Sequence, residues 1–167
     1  MTRRIPKDRI TQEAKDLSDA AACTPLERKI FDLPTHKKEG ERESPFPKNP
    51  YVVLKYFQSD WECFSAWQKD ELALFSSFLH HFAGHTWQTV YKTAGKGENK
   101  AGLGYTPYQV DDMKSGSEHV KRVRERVSED IKFFELRVSQ RLRVHGFQAQ
   151  AAFFLVLLDR EHRVFPA

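Results

Sequence analysis

Basic side chains alternate with apolar ones near the C-terminal end of the chain, in the stretch FFELRVSQRLRVHGFQ. Arg137, Arg143 and His145 are the members of this stretch that could do chemistry together. An arginine guanidinium is always charged and offers forked donors to a phosphate, and it stabilises the charge that develops when a phosphodiester is attacked. A histidine transfers protons near neutral pH. These residue types suit the binding and cleavage of RNA, whose ribose carries its own 2′-hydroxyl nucleophile.

Chemistry of this kind needs neither a metal nor a cofactor, and the sequence predicts neither. Cys23 and Cys63 are the only cysteines, which gives no disulfide framework and no zinc pattern. His81 and His85 have the i, i+4 spacing of zinc ligands, but Gly84 is expected to end their helix and no acidic partner follows. The glycine-rich segment GKGENKAGLG lacks the spaced GK[ST] of a phosphate-binding loop.

Three antiparallel strands are predicted to position the basic residues, at about 133–138, 141–148 and 152–158. In the first two strands alternation places the apolar side chains on one face and the basic ones on the other. The third strand is apolar on both faces and is expected inside the sheet. We therefore expect helices on the apolar face only, with Arg137, Arg143 and His145 together on the opposite face. Removing Arg143 or His145 should then leave the thermal midpoint nearly unchanged.

This basic stripe has a second interpretation of about equal weight. Its side chains could form a solvated sheet face that pairs with Glu135 and other acids and does no chemistry. A catalytic site requires the basic side chains to converge in a cleft, whereas a binding surface would disperse or neutralise them.

Residues 51–132 are predicted to add one strand and three helices. A strand begins at Tyr51, after Pro50, in YVVLKYFQ. The segment QKDELALFSSFLHHFAG has apolar residues at helical spacing and is followed by a short helix that Thr86 can cap. Ser117 is a candidate N-cap of an amphipathic third helix. The intervening stretch AGKGENKAGLGYTPY is rich in glycine and proline, so we expect an exposed loop.

Residues 1–50 form a polar, proline-rich arm that precedes a domain of residues 51–167. The arm contains only Phe31 and Phe46 of the 21 aromatic residues. It offers little apolar surface to offset the entropy of ordering, so we expect a flexible arm with at most a short helix from Thr11. An arm that binds a partner or swaps between subunits is the alternative.

The composition restricts the class of partner. The chain has 27 Lys and Arg against 23 Asp and Glu, for a net charge of +4. This charge suits a polyanion or an acidic protein without requiring either. No apolar run reaches the length of a membrane span, and the N-terminus lacks the apolar stretch of a signal peptide. We expect a cytoplasmic protein that does not contact a membrane.

The order of one strand, two helices and a terminal antiparallel meander resembles the RelE/ParE toxin superfamily over about residues 51–166. Chains of that superfamily similarly pair an arginine-bearing strand with an oily strand that ends near a histidine, as FELRVSQRLRVHGFQ and AFFLVLLDREHRVFP do here. The chain is also similar to a group of small bacterial proteins with a Thr-Trp pair after the first helix, here Thr86 and Trp87. Those proteins end in D-P-x-H-x-V-x-P, where this chain has Arg160 in place of the proline.

The resemblance implies an α+β fold in which an N-terminal strand and helices pack on a C-terminal antiparallel sheet. It also implies a toxin of a toxin–antitoxin or phage-defence system that cleaves mRNA, often on the ribosome, without a metal. ParE relatives instead inhibit gyrase without hydrolysis. The implied catalytic residues are Arg137, Arg143, His145 and His162.

Further contacts to the RNA backbone would come from basic residues in or near the glycine-rich loop and the second strand, namely Lys92, Lys96, Lys100 and Arg141. The implied partners are RNA or the ribosome and a cognate antitoxin protein, and a homo-oligomer is compatible with the sequence. The alternative function is a non-catalytic protein-binding module on the same fold, either an inhibitor of a partner protein or a phage or defence component.

Truncation tests the division of the chain. A protein that starts near Pro47 should remain soluble and unfold cooperatively, because the residues removed offer few apolar anchors. Thermal unfolding followed by circular dichroism measures this. A loss of cooperativity would show that the arm belongs to the core or to an obligate dimer.

Overall fold

A computed structural model describes residues 29–30, 46–94 and 102–166 of the chain. Lys29 and Ile30 are helical and exposed, and they belong to a unit of contacts that spans Met1–Glu43. A second unit spans Ser44–Ala167 and contains all the elements below. The predicted helix from Thr11 and most of the predicted arm lie outside the described residues. In the described part, no helix has both the length and the apolar character needed to cross a membrane.

The larger unit is α+β, with a five-stranded mixed sheet in the order β1-β5-β4-β3-β2. Strand β1 (Tyr51–Val53) pairs parallel with β5 (Ala152–Asp159), whereas β2 (Thr106–Tyr108), β3 (Phe133–Arg137), β4 (Arg143–Ala149) and β5 form antiparallel pairs. The three strands of the C-terminal meander are therefore confirmed. Strand β2 lies in the stretch expected to be loop throughout. Its Pro107 is tolerated because β2 is the edge strand.

Two helices follow β1 and pack on one face of the sheet. Helix α1 (Lys69–Gly84) begins where the Glu71 carboxylate accepts the Gln68 backbone N–H at 2.7 Å. Helix α2 (Trp87–Lys92) is capped by Thr86, as predicted, through the backbone N–H of Thr89. The predicted apolar stripe of α1 is buried at three phenylalanines, but Leu72 is exposed. The buried residues on this face form the first core, which includes Phe75, Phe78, Phe82, Trp87, Val90, Phe134, Leu136, Val144 and Phe153.

A third helix packs with the opposite face of the sheet. Helix α3 (Ser117–Val127) is preceded by Gly116, so Ser117 is its first residue and not its N-cap. Val120 and Val123 of α3 are buried in a second core together with Phe133 and Phe147 of the sheet. The expectation that helices cover only the apolar face is therefore wrong. The two phenylalanines offer apolar area on the basic face, and the valine stripe of α3 buries it.

Residues just before β1 are tied to the helices on the first face. The carbonyls of Phe46 and Lys48 accept the N–H groups of Gln88 and Trp87, each at 3.0 Å. The Asn49 side chain donates to the carbonyl of His85 at 2.6 Å. A chain that starts at Pro47 keeps two of these three bonds, so its folding remains expected.

Gly146 marks an irregularity in the pairing of β4 with β5. The register shifts between His145 and Gly146, which face Leu157 and Leu155. A Cβ added at Gly146 would lie 2.0 Å from the carbonyl oxygen of Phe154. The two strands approach this closely only because Gly146 has no side chain.

A pair of glycine substitutions tests this close approach. Gly146→Ala should lower the free energy of unfolding by about 3 kcal/mol or more, because a backbone oxygen cannot move aside without breaking the β4–β5 ladder. Gly84→Ala is the matched control, since no atom lies within 4 Å of the added Cβ. It should leave stability unchanged or raise it by up to about 1 kcal/mol. Urea unfolding measures both, and equal effects would contradict the assigned register.

Candidate functional site

The strand register brings the predicted basic residues onto one face of the sheet. Arg137 lies opposite Arg143, and Arg143 lies opposite Asp159. Two residues further along each strand, His145 lies opposite Glu135. The basic stripe therefore exists as predicted, but two carboxylates share its face.

These side chains form a buried polar cluster, composed of Glu135, Arg143, His145, Asp159 and His162. The His145 Nε2 atom lies 3.4 Å from Asp159 Oδ2, and neither side chain has any exposed surface. Arg143 Nε and His162 Nε2 each lie 3.7 Å from a different carboxylate oxygen of Glu135. Each basic group of the cluster thus lies next to a carboxylate. This is the pairing with acids expected of a non-catalytic sheet face, and not an open cationic stripe.

Asp159 ties the C-terminal segment to the end of β5. Its Oδ1 accepts the Arg163 backbone N–H at 2.7 Å, and its Oδ2 accepts the Val164 N–H at 3.0 Å. Burial alone would raise the pKa of Asp159, but the neighbouring His145 imidazole and the hydrogen bonds from these two N–H groups outweigh it, so the pKa lies below its ordinary value. Asp159 therefore caps the turn that follows β5.

His162 lies in the turn that Asp159 holds. Its backbone has a φ of 55°, which a non-glycine residue adopts only when the surroundings hold it there. Burial, followed by the charge of Arg143, lowers the pKa of His162, although Glu135 and Asp159 oppose this. His162 is therefore neutral at pH 7, and its nearest carboxylate is Glu135, so no Asp159–His162 dyad is formed.

Arg143 holds the β3–β4 turn. Its Nη1 atom donates to the carbonyls of Ser139, Leu142 and Gln140 at 2.7, 3.1 and 3.2 Å. Arg143 and His145 are both buried, so the premise that their removal disturbs nothing buried is wrong, and we now expect their removal to lower the thermal midpoint. Loss of either would leave a buried carboxylate without its partner.

Several polar atoms in and beside the cluster are buried and lack a hydrogen-bond partner among the described residues. They are the hydroxyl of Tyr108, both ring nitrogens of His145, Oε2 of Glu135 and Nε2 of His162. Burial, and then the charges of Glu135 and Asp159, raise the pKa of Tyr108, so its hydroxyl keeps its proton. Unpaired buried polar groups are uncommon because each costs about 1–3 kcal/mol.

An open cavity of about 610 Å³ lies at one end of the sheet, between α1 and the β3–β4 turn. We call it the arginine cavity, because Arg137 and Arg143 both line it. His81 of α1 is the third basic side chain in its wall. The remaining lining is polar or apolar, with no aspartate or glutamate among the described residues: Leu74, Ser77, Phe78, Gly102, Leu103, Val138, Ser139 and Gln140. The cavity is therefore suited to an anion.

Arg137 is the less buried of the two arginines in this cavity. Its backbone N–H donates to the Leu103 carbonyl at 2.6 Å, which fixes the segment before β2 against β3. Gly104, with a φ of 59°, lets this segment pass close to the Arg137 side chain. The buried Arg137 Nε atom has no hydrogen-bond partner among the described residues, whereas Arg143 Nη1 donates to three carbonyls.

The predicted RNA contacts outside the strands are not brought together by the described residues. Lys92 is exposed at the last residue of α2, and Arg141 is exposed in the β3–β4 turn. Neither lines the arginine cavity. Lys96 and Lys100 lie outside the described residues.

Sequence reasoning named Glu135 as a partner of the basic stripe in one of its two interpretations, but it missed Asp159 in that role and the part played by His81. Alternation already placed Glu135 beside Arg137, so that signal was present. Asp159 stood in the C-terminal motif, but nothing local marked it as the partner of His145. The helical spacing of α1 could not show that His81 would line a cavity together with arginines of the sheet. Within the described residues, no three His, Cys, Asp or Glu side chains form a metal-binding group.

No protein-family model, curated protein or solved structure matches this chain. The α+β fold and the five-stranded mixed sheet therefore stand on the structure itself. The RelE/ParE resemblance stays an expectation.

The cluster predicts an acid-sensitive contribution of Asp159 to stability. Its lowered folded-state pKa means that the ionised carboxylate stabilises the fold above the unfolded pKa of about 3.9, and that this contribution is lost as the pH falls through the folded pKa. Asp159→Asn should destabilise the protein by roughly 2–4 kcal/mol at pH 7, because the amide cannot accept two backbone N–H groups and pair with His145.

Urea unfolding at pH 7 and pH 3 measures this, and the difference between wild type and variant should shrink at pH 3. Asp111→Asn is the control, since that exposed carboxylate pairs only with exposed Lys121 in the described structure. It should change stability by less than about 0.5 kcal/mol. Equal effects of the two substitutions would show that Asp159 does not hold the C-terminal segment.

Proposed function

We propose that the protein binds RNA at the arginine cavity and acts as a RelE-like toxin on mRNA. The observation that supports this is the convergence of Arg137, Arg143 and His81 on one open cavity without an acidic residue among its described lining. A phosphodiester offers the charge and the acceptor oxygens that guanidinium donors bind. The apolar wall formed by Leu74, Phe78 and Leu103 could hold a base or ribose beside the phosphate.

Metal-independent cleavage of the bound RNA is the narrower part of the proposal. Arg137 would stabilise the charge that builds on the attacked phosphate. His145 is fully buried against Asp159, so it is a poor proton-transfer group for RNA in this conformation. Proton transfer would fall to His81, the one histidine among the described residues that line the cavity.

A non-catalytic module on the same fold is the second candidate function. The observation that favours it is the pairing of His145 with Asp159 and of Arg143 with Glu135. Two predicted catalytic groups are thereby paired with acids inside the protein and are not presented to a substrate. A structural cluster of this kind would stiffen the sheet and leave the surface to bind a partner protein. A cognate antitoxin belongs to the toxin candidate, and an inhibited partner protein or a phage or defence system belongs to the binding module; a homo-oligomer is compatible with both.

The affinity for single-stranded RNA tests the leading candidate. Arg137→Ala should weaken binding about tenfold and reduce the slope of log K against log salt by about one, because one phosphate contact is lost. Arg126→Ala removes the same charge from an exposed position on α3 that does not line the cavity, and it should have little effect on binding. Fluorescence anisotropy over a range of salt concentrations, with thermal midpoints as a folding check, makes the comparison.

The outcomes separate the two candidates. If Arg137→Ala binds RNA as tightly as wild type, or if both variants lose affinity equally, the cavity is not an RNA site. If wild type binds RNA through Arg137 but leaves naked and ribosome-bound RNA intact, the cleavage part is wrong and binding remains. Reactions that contain EDTA test metal independence, because 2′-hydroxyl attack assisted only by protein groups must survive it.

A further inference from the structure

Two histidines face each other where α1 ends. His81 is in the last turn of the helix, and His85 is the residue that follows its last position. Their Nε2 atoms are 3.1 Å apart, and their ring planes are nearly perpendicular, at 87°. Gly84 does end the helix, as the sequence predicted. It does so only after the final turn is complete, so His85 still lies beside His81.

The hydrogen bonds around His85 determine which ring nitrogen carries its proton. The Thr89 hydroxyl donates to the carbonyl of Thr86 at 2.8 Å. Its oxygen is therefore left to accept from His85 Nδ1, which lies 3.0 Å away. His85 is then protonated on Nδ1, and its Nε2 lone pair points towards His81. Fixing of one ring nitrogen by a neighbouring acceptor is also how proteins orient histidines that bind metals.

The separation of the two Nε2 atoms fits a shared cation. Two nitrogen ligands at about 2.0–2.1 Å from Zn²⁺ lie roughly 2.9–3.4 Å apart for bond angles of about 90–109°. The observed 3.1 Å falls in this range. His81 is exposed, so its ring can rotate slightly and, in its other neutral tautomer, present a second lone pair.

We propose that His81 and His85 form a two-histidine binding site for a divalent transition-metal ion, of which Zn²⁺ is the probe. No third His, Cys, Asp or Glu joins them among the described residues, so water would complete the coordination. An ion with two protein ligands exchanges readily and differs in this from a closed four-ligand structural site. The site shares His81 with the arginine cavity but uses neither arginine, so zinc binding can be tested separately from RNA binding.

Calorimetric titration of the full chain with Zn²⁺ tests the site. Wild type should bind one ion that His81→Gln and His85→Gln each weaken at least tenfold, because either change removes half of the chelate. His80→Gln is the matched control: it changes an exposed histidine on the same helix, about 100° around the axis from His81, and should bind as wild type does. The thermal midpoints of the three variants verify that they fold.

A spectroscopic measurement gives a second readout. Cu²⁺ binds nitrogen sites more tightly than Zn²⁺, and its electron paramagnetic resonance spectrum reports the number of coordinated nitrogens. Wild type should show two imidazole nitrogens, and each pair variant should show one. Equal Zn²⁺ affinity in His81→Gln and wild type, an equal loss in His80→Gln, or no zinc binding by wild type would overturn the proposal. Arg137→Ala should leave zinc binding unchanged, which separates this result from the RNA test.

Discussion

The ionised carboxylate of Asp159 is the interaction on which this end of the sheet depends. It accepts two backbone N–H groups from the segment after β5 and lies against a fully buried histidine, His145. The segment thereby turns back over the sheet and places Val164 in the second core. Without this anchor the second face would expose apolar area, and His145 would lose its acid. The position of a single charge therefore links the C-terminal turn, the second core and the polar cluster.

Burial changes what the basic residues of β3 and β4 can do. A guanidinium or imidazole on an open sheet face is available to a ligand, but the same group beneath α3 and the C-terminal segment must first be neutralised by a neighbour. Glu135 serves Arg143 in this way. What remains available for a ligand is at the end of the sheet, where Arg137 reaches the arginine cavity.

The sequence was informative where a residue pattern reports on its own element. The period of α1, the Thr86 cap and the alternation in β3 and β4 depend on local geometry, and each was predicted correctly. The sequence could not show which elements would cover the basic face, because α3 buries its valines against Phe133 of β3 and against Phe147 of β4, and Phe147 is more than 20 positions away. Strand β2 was missed because Pro107 and its glycine neighbours indicate a loop, and only the edge position tolerates proline there. The acids Glu135 and Asp159 are evident in the sequence. Only the pairing register of the strands shows that Glu135 lies beside Arg143 and Asp159 beside His145.

The arginine cavity and the polar cluster share one residue, and this couples them. Arg143 lines the cavity, yet its charge is opposed by Glu135, and its Nη1 N–H groups donate to carbonyls of the β3–β4 turn. An anion in the cavity would therefore find more free N–H donors on the Arg137 side chain than on the Arg143 side chain. The shared residue also means that a variant of Arg143 would change the fold and the cavity together, whereas a variant of Arg137 reports on the cavity with the cluster intact.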